Sequence, residues 1–308
     1  MTDFIFRDSC EICGSKNTSA LFSDPFAGDA VWPFLKEYYE GRINRTDLSG
    51  GKYEILKCME CGFIWQAFIL NEAHMEKLYN LWASPEKSIN KKRYADTALF
   101  SSYSRQVQII YSLIPRKPYE INVLDFGMGW GFWCLMVKAH GMNIAGFEIS
   151  GEKAAFARSN GISVMTDFAQ LLSASFDFIN LDQVLEHLPD PRNVLLTLSS
   201  RLNAGGYIRI SVPNGNKMEK KITRSGWKPS KDALHPLEHI NCFTNSSLSA
   251  LGRTCGLTLN RQPLIPGNAA GISALLRSHL ARFYREFFGT TLYFKKTDGY
   301  MDKATKGS

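Results

Sequence analysis

Three sets of residues in this chain have types and spacings that do chemistry. The first is a pair of short cysteine turns, Cys10-Glu-Ile-Cys13-Gly and Cys58-Met-Glu-Cys61-Gly. Each Cys-x-x-Cys turn presents two thiolates to one metal. Two such knuckles close a tetrahedral four-sulfur site with no position open for water, which suits a structural Zn²⁺. The other three cysteines, Cys134, Cys242 and Cys255, are scattered. In a reducing compartment this pattern speaks for metal rather than disulfides.

The second set is Asp125-Phe-Gly127-Met-Gly129-Trp-Gly131, directly after an apolar strand and before a helix. Glycines there let the backbone turn tightly and approach a ligand closely. A dinucleotide fingerprint would need its third glycine one place later, where this chain has Phe132. Asp125 also sits two residues before the first glycine, where it would repel a pyrophosphate; it suits a ligand carrying an ammonium and a sulfonium. Glu148, about 20 residues beyond the loop at a strand end, is placed to accept both hydroxyls of a ribose. Asp167 and Phe168 follow the next strand. Asp167 is a candidate acceptor for an adenine amino group with Phe168 beside the base, and equally a helix N-cap. Asp182 ends a later strand at the same edge and is grouped with the ligand-binding residues.

The third set is histidine, the side chain that changes its proton near neutral pH. His74 and His140 lie in helical patterns and His279 in a basic tail, where surface or packing roles are expected. His187 follows a strand at the carboxyl edge, where ligands bind in open α/β sheets, and His239 stands beside Glu238.

These residues must be positioned by the surrounding elements. From Asn122 onward strands alternate with helices. Strands are expected at Val123–Phe126, Asn143–Glu148, Ile162–Met165, Phe176–Leu181 and Gly206–Val212, with helices at Phe132–His140, Glu152–Ser159 and Asn193–Leu202 between them. A further helix, Ser246–Cys255, stops at Gly256, and Gly256-Leu-Thr-Leu opens another strand. Alternation at this spacing implies a doubly wound, mostly parallel sheet with right-handed crossovers. The expected organisation is a zinc-binding domain over 1–70, a helical segment over 71–118 covering the ligand site, an α/β domain over 119–290 and a basic tail over 291–308.

With the loop, the strand-end Glu148, the segment Phe176-Asp-Phe-Ile-Asn-Leu-Asp-Gln-Val-Leu-Glu-His and the late Glu238-His239, the chain resembles the class I S-adenosylmethionine-dependent methyltransferases over roughly residues 100–275. The cysteine knuckles resemble a zinc ribbon, and a ribbon ahead of such a domain resembles the sugar C-methyltransferases of deoxysugar and polysaccharide pathways. The resemblance implies S-adenosylmethionine held by Asp125, Gly127, Gly129, Gly131, Glu148, Asp167, Phe168 and Asp182, with His187, Glu238 and His239 at the active site. In that group a tyrosine precedes the Glu-His pair by two residues. Here that place is Pro236, and His235 is the candidate substitute. Base N-methyltransferases carry an Asn- or Asp-Pro-Pro-aromatic signature where this chain has Leu181-Asp-Gln-Val-Leu-Glu-His, which argues against them.

Bulk properties agree with this reading. The chain has 308 residues, 44% of them hydrophobic, and no run near the ~18 apolar residues of a membrane span. Its start lacks the apolar core of a signal peptide, so a cytoplasmic protein is expected. Net charge is +7, concentrated in two places: Lys217–Asp232, with six bases against two acids, and the tail from Arg277. That bias favours an anionic partner. A nucleotide-linked or polysaccharide-precursor sugar, methylated at carbon or oxygen, is the expected substrate. An RNA held by the ribbon and the basic segments is the alternative, and nucleic acid is the less expected partner.

Overall fold

The computed structural model describes residues 3–83, 89–90, 97–260 and 290–297. Along the chain run β1 (Phe4–Phe6), β2 (Thr18–Pro25), α1 (Trp32–Tyr38), β3 (Lys52–Cys58), β4 (Ile64–Gln66), β5 (Phe68–Leu70) and α2 (Glu72–Lys77). Then come α3 (Thr97–Leu113), β6 (Asn122–Phe126), α4 (Phe132–Ala139), β7 (Asn143–Phe147), α5 (Gly151–Ser159), β8 (Ser163–Met165), α6 (Phe168–Leu172) and β9 (Phe176–Asp182). They are followed by α7 (Pro191–Ser200), β10 (Leu202–Ser211), α8 (Met218–Ile222), β11 (Asn241–Cys242), α9 (Asn245–Thr254), β12 (Leu257–Asn260) and β13 (Thr291–Lys296).

The chain divides into two units. Among the described residues the first takes in 3–83, 89–90, 185–191 and 212–251, and the second 97–184, 192–211, 252–260 and 290–297.

The second unit is built on a seven-stranded sheet in the order β12-β13-β10-β9-β6-β7-β8. The pairs from β10 through β9, β6 and β7 to β8 are all parallel, and β13 runs antiparallel to both its neighbours. This is the expected doubly wound architecture. β6 is buried at four of its five positions and β9 at six of seven, as strands covered on both faces must be. α3 lays Tyr103, Val107 and Ile110 into a core shared with Val123, Trp133, Val137 and Phe178.

The first unit carries a four-stranded antiparallel sheet, β11-β4-β3-β2, and the small pair β1-β5. Its core joins Leu35, Tyr39, Tyr53 and Ile55 to Leu78 and Trp82, and also to Met218, Ile222, Leu234, Leu237 and Cys242.

That core departs from the expected boundaries. Residues 185–191 and 212–251, expected in the α/β domain, fold with the N-terminal region: apolar residues of 212–251 complete its interior, and the Leu185, Leu188 and Pro189 carbonyls accept from Asn241 and Arg7. Leu78 and Trp82, read as the start of the helical segment, belong to the same core. The expected tail of 291–308 also changes: Thr291–Lys296 is β13, with Leu292, Tyr293 and Phe294 buried. The three apolar residues have strand character, although they lie in a stretch whose overall charge is basic. β10 begins at Leu202 rather than Gly206, because a register shift between Leu202 and Tyr207 carries Gly205 through φ +71°. Residues 298–308, His279 and Tyr94 lie outside the described residues.

Candidate functional site

In the second unit β6 delivers the chain into the glycine loop. Gly127, Gly129 and Gly131 all have left-handed φ, +74°, +56° and +75°, where a side chain is strained. Their surroundings differ. A Cβ on Gly127 would lie 2.7 Å from Val184, and one on Gly131 3.2 Å from Ala157. A Cβ on Gly129 would meet nothing within 4 Å. Gly127 and Gly131 are therefore glycine for internal packing, and Gly129 is the one of the three whose open face can admit a ligand.

The acids around the loop are already engaged. Glu148, 8% exposed, accepts the Gly129 N–H at 2.9 Å and the Ser150 N–H at 2.9 Å, so it holds the cradle in shape. Asp125 is buried beneath the loop. It accepts the Asn180 amide at 2.7 Å and the Cys134 thiol at 3.4 Å. Burial pushes its carboxyl up to about 7, against the opposing pull of the Asn180 amide. Arg209 donates to Asn180 at 2.7 Å and to Asp182 at 3.1 Å, which ties the ends of β9 and β10 to this network. Asp167 accepts the Ala169 N–H at 3.0 Å and caps α6; the exposed Phe168 ring stands edge-on to Phe147 at 5.1 Å. Gln183, just past β9, has φ +59°, a strained conformation at the carboxyl edge. Trp130 and Tyr103 are buried packing residues. A cavity of about 490 Å³ opens in this unit beside Arg116, Asp177, Asn203 and Gly206, where β9 and β10 begin. This is the opposite edge from the glycine loop, and Arg116 and Asp177 form an ion pair at 2.6 Å in its lining.

In the first unit the two cysteine turns face one another. The Gly14 N–H bonds back to the Cys10 carbonyl at 2.7 Å, and the Gly62 N–H to that of Cys58 at 3.0 Å, so both knuckles have the same shape. Sulfur separations are 3.5 Å for Cys10–Cys61 and 3.5 Å for Cys13–Cys58, and the four sulfurs lie within 4.8 Å of one another. A tetrahedron with zinc–sulfur bonds of about 2.3 Å has edges of about 3.8 Å, so the four thiols fit zinc closely.

The same unit gathers His187, His235 and His239. Ring centroids are 4.9 Å apart for His187–His239 and 5.5 Å for His235–His239. His187 Nδ1 donates to the Glu238 carbonyl at 2.9 Å and His239 Nδ1 to the Asp232 carbonyl at 2.6 Å. A carbonyl only accepts, so each neutral ring carries its hydrogen on Nδ1 and its lone pair on Nε2. The Glu238 carboxylate lies 4.0 Å from His235 Nδ1. It accepts the Tyr39 hydroxyl at 2.8 Å, and burial raises its pKa. Tyr39 thus brings a phenol to this pair from the end of α1, just past its last residue, where Pro236 leaves none nearby in sequence. Burial lowers the pKa of His239. His235, edge-on to Phe34 and Tyr38, is pushed down to about 2, chiefly by burial, with His239, Lys231 and His187 nearby adding to the shift, so it stays neutral.

His235 makes acid costly. Its unfolded value is near 6.5 and its folded value near 2, so below pH 6.5 the unfolded chain binds a proton that the folded chain refuses. Taken alone, this contribution falls as pH is lowered across that window by about 1.4 kcal/mol per unit, while Asp125, raised to about 7, acts in the opposite sense. Urea midpoints measured from pH 7 to 5 should therefore lose more, or gain less, in the parent than in His235→Asn. A variant as acid-sensitive as the parent would remove His235 as the cause.

In the basic segment both acids are engaged: Lys57 pairs with Glu219 at 2.6 Å and Lys221 with Asp232. The remaining bases are Lys217, Lys220, Arg224, Lys228 and Lys231, the last lying 5.1 Å over the Tyr38 ring. Among the described residues no helix is long and apolar enough to cross a membrane.

Comparison with known proteins gives the family. A methyltransferase domain matches residues 93–262, more than half of the chain. The chain is similar to the ubiquinone biosynthesis O-methyltransferase of Vibrio atlanticus (strain LGP32), 28% identical over 160 residues, which are 45% of this chain and 67% of that protein. It is also similar to the same-named protein of Cronobacter sakazakii, 27% identical over 105 residues, 31% of this chain and 43% of the relative. Among solved structures, the plantazolicin methyltransferase BamL in complex with a triazolic analogue and SAH aligns with a TM-score of 0.49 and 16% identity, over 72% of this chain and 94% of that one. The chain belongs to the methyltransferase-domain family, and it is a class I S-adenosylmethionine-dependent methyltransferase.

Proposed function

We propose that the protein methylates a nucleotide-linked or polysaccharide-precursor sugar, at carbon or oxygen, with His187 or His239 taking the proton. The observation that carries this reading is the histidine pair. Both rings are held in the Nδ1–H form by backbone carbonyls, as a residue that accepts a proton through Nε2 must be. When bound, S-adenosylmethionine supplies a methyl carbon activated by positive sulfur. The Gly129 face and Glu148 would hold it, with Asp167 and Phe168 beside the adenine and Asp125 and Asp182 below. Burial of His239 favours its neutral form, so the ring is ready to receive a proton at neutral pH. His187 follows Asp182 by only five residues, directly after β9.

The basic stretch around Lys217–Lys231 belongs to the same unit as the histidines, and with its acids engaged it suits a diphosphate. The similarity to ubiquinone biosynthesis O-methyltransferases supports a small-molecule acceptor. Titrating protein saturated with S-adenosylhomocysteine with nucleoside diphosphate sugars and with RNA tests the substrate class. Saturable binding of a nucleotide sugar is expected. Tight RNA binding with a steep salt dependence, and none of the sugar, would replace this reading with RNA methylation.

We further infer that Cys10, Cys13, Cys58 and Cys61 hold one structural Zn²⁺, on the fit of their sulfur spacing. Elemental analysis should find one zinc per chain, and chelation should loosen the first unit because the knuckles' folding energy comes largely from the metal. Freshly purified, folded protein without zinc would reject the site.

A further inference from the structure

Outside the sites described so far, Arg7 is a heavily bonded side chain of the first unit. It is 6% exposed and lies three residues before Cys10. Its guanidinium makes five hydrogen bonds: to the Gln66 carbonyl at 3.2 and 2.8 Å, to the Asn241 side-chain oxygen at 2.9 Å, to the Ile240 carbonyl at 2.8 Å and to the Pro189 carbonyl at 3.3 Å. A planar fork with five donors can span such a set, and an ammonium cannot. Burial lowers this group to about 10, so it remains charged at neutral pH.

Two of those acceptors flank the histidines. Ile240 follows His239, and Pro189 lies two residues after His187. Asn241 closes the same clamp by donating to the Leu185 and Leu188 carbonyls at 2.9 and 2.7 Å.

Gln66 does the same for the other segment. It is fully buried and lies five residues after Cys61. Its amide donates to the carbonyls of His235 and His239, both at 2.8 Å, and its oxygen accepts the Leu237 N–H at 3.3 Å. Leu237 has φ +72°, a conformation that costs energy for a non-glycine and persists only where neighbours impose it. The Glu238 carbonyl that orients His187 lies within the turn that Gln66 holds.

We propose that Arg7 and Gln66 are positioning residues for the histidine pair, so that the chain entering the first cysteine knuckle and the chain leaving the second set the aim of the His187 and His239 imidazoles. The knuckles are thereby mechanically part of the proton-accepting site, and not only a stabilising appendage. This rests on the reading that those imidazoles take the acceptor's proton.

The test uses the full, zinc-loaded chain with ¹⁵N-labelled histidine. In the parent, His187 and His239 should both show the Nδ1–H tautomer. Arg7→Lys keeps the charge but not the fork. It should retain one zinc and parent affinity for S-adenosylhomocysteine, while the tautomer signals of His187 and His239 change and their titration midpoints move by about one unit. Gln66→Glu, isosteric but with no donor for the two carbonyls, should do the same and serves where Arg7→Lys does not fold. Removing zinc from the parent with a chelator should move the same signals. Variants that are less stable but keep parent imidazole signals and midpoints would overturn the proposal, as would signals indifferent to zinc. The signals report positioning whether or not the histidines are the base. That question is settled separately by the turnover of His187→Asn and His239→Asn, so the two readings fail independently.

Discussion

Gly129→Val should weaken S-adenosylhomocysteine binding by about 100-fold or more, roughly 2.7 kcal/mol, while leaving the sheet folded. Gly129 is the loop glycine whose Cβ would enter open space, and its N–H is held by Glu148 at 2.9 Å. A branched side chain there fills the cradle and strains a φ of +56°. Strain must be separated from occlusion. Gly205 has φ +71° and equally open space, but it lies where β10 begins, away from the loop. Gly205→Val carries the same backbone penalty and should bind the cofactor product like the parent. Gly127→Val cannot make this distinction, because its Cβ would meet Val184 at 2.7 Å and disturb the end of β9. Calorimetry on the two variants decides. Parent affinity in folded Gly129→Val would remove the loop as the cofactor cradle.

The second large effect is on turnover. His239→Asn, or His187→Asn if that ring is the one used, should lower kcat by ~10²–10⁴ and leave cofactor affinity unchanged, because a general base acts only in the transition state. The pH profile adds a signature for His239. A base works deprotonated, and burial lowers the pKa of this imidazole. Activity should therefore persist below the ordinary imidazole value of 6.5 and fall only at more acidic pH. An acid limb above 6.5 would contradict His239 as the base. If neither asparagine variant lowers turnover, the histidine assignment is wrong.

The parts of this molecule that sequence made legible are those whose chemistry is local. Each cysteine knuckle is a five-residue turn with its own glycine. The strand, glycine loop and helix around Asp125–Gly131 follow one another without interruption, and the parallel strands are buried apolar runs. Glu148 was readable as a strand-end acid, although its grip on the Gly129 N–H was not.

What stayed hidden is carried by contacts between distant residues. Tyr39 meets Glu238 across 199 positions, Arg7 reaches Ile240 across 233 and Gln66 holds His239 across 173. No periodicity marks a side chain whose partner is a remote backbone carbonyl. For the same reason the first unit could not be assembled in advance. Its core draws on Leu35, Trp82 and Leu234, from three stretches of chain separated by whole elements. β13 differs in kind: its three buried apolar residues stand within a stretch that is basic overall, and what makes them a strand is antiparallel pairing with β10 and β12, which are distant in sequence.

The most direct test of the account is transfer of the labelled methyl group from S-adenosylmethionine. The intact zinc-loaded protein is incubated with a panel of nucleoside diphosphate sugars, with RNA and with a small phenol. The account predicts label in a nucleotide-linked sugar, dependent on His187 or His239 and lost in Gly129→Val. Label in RNA or the phenol alone would contradict it.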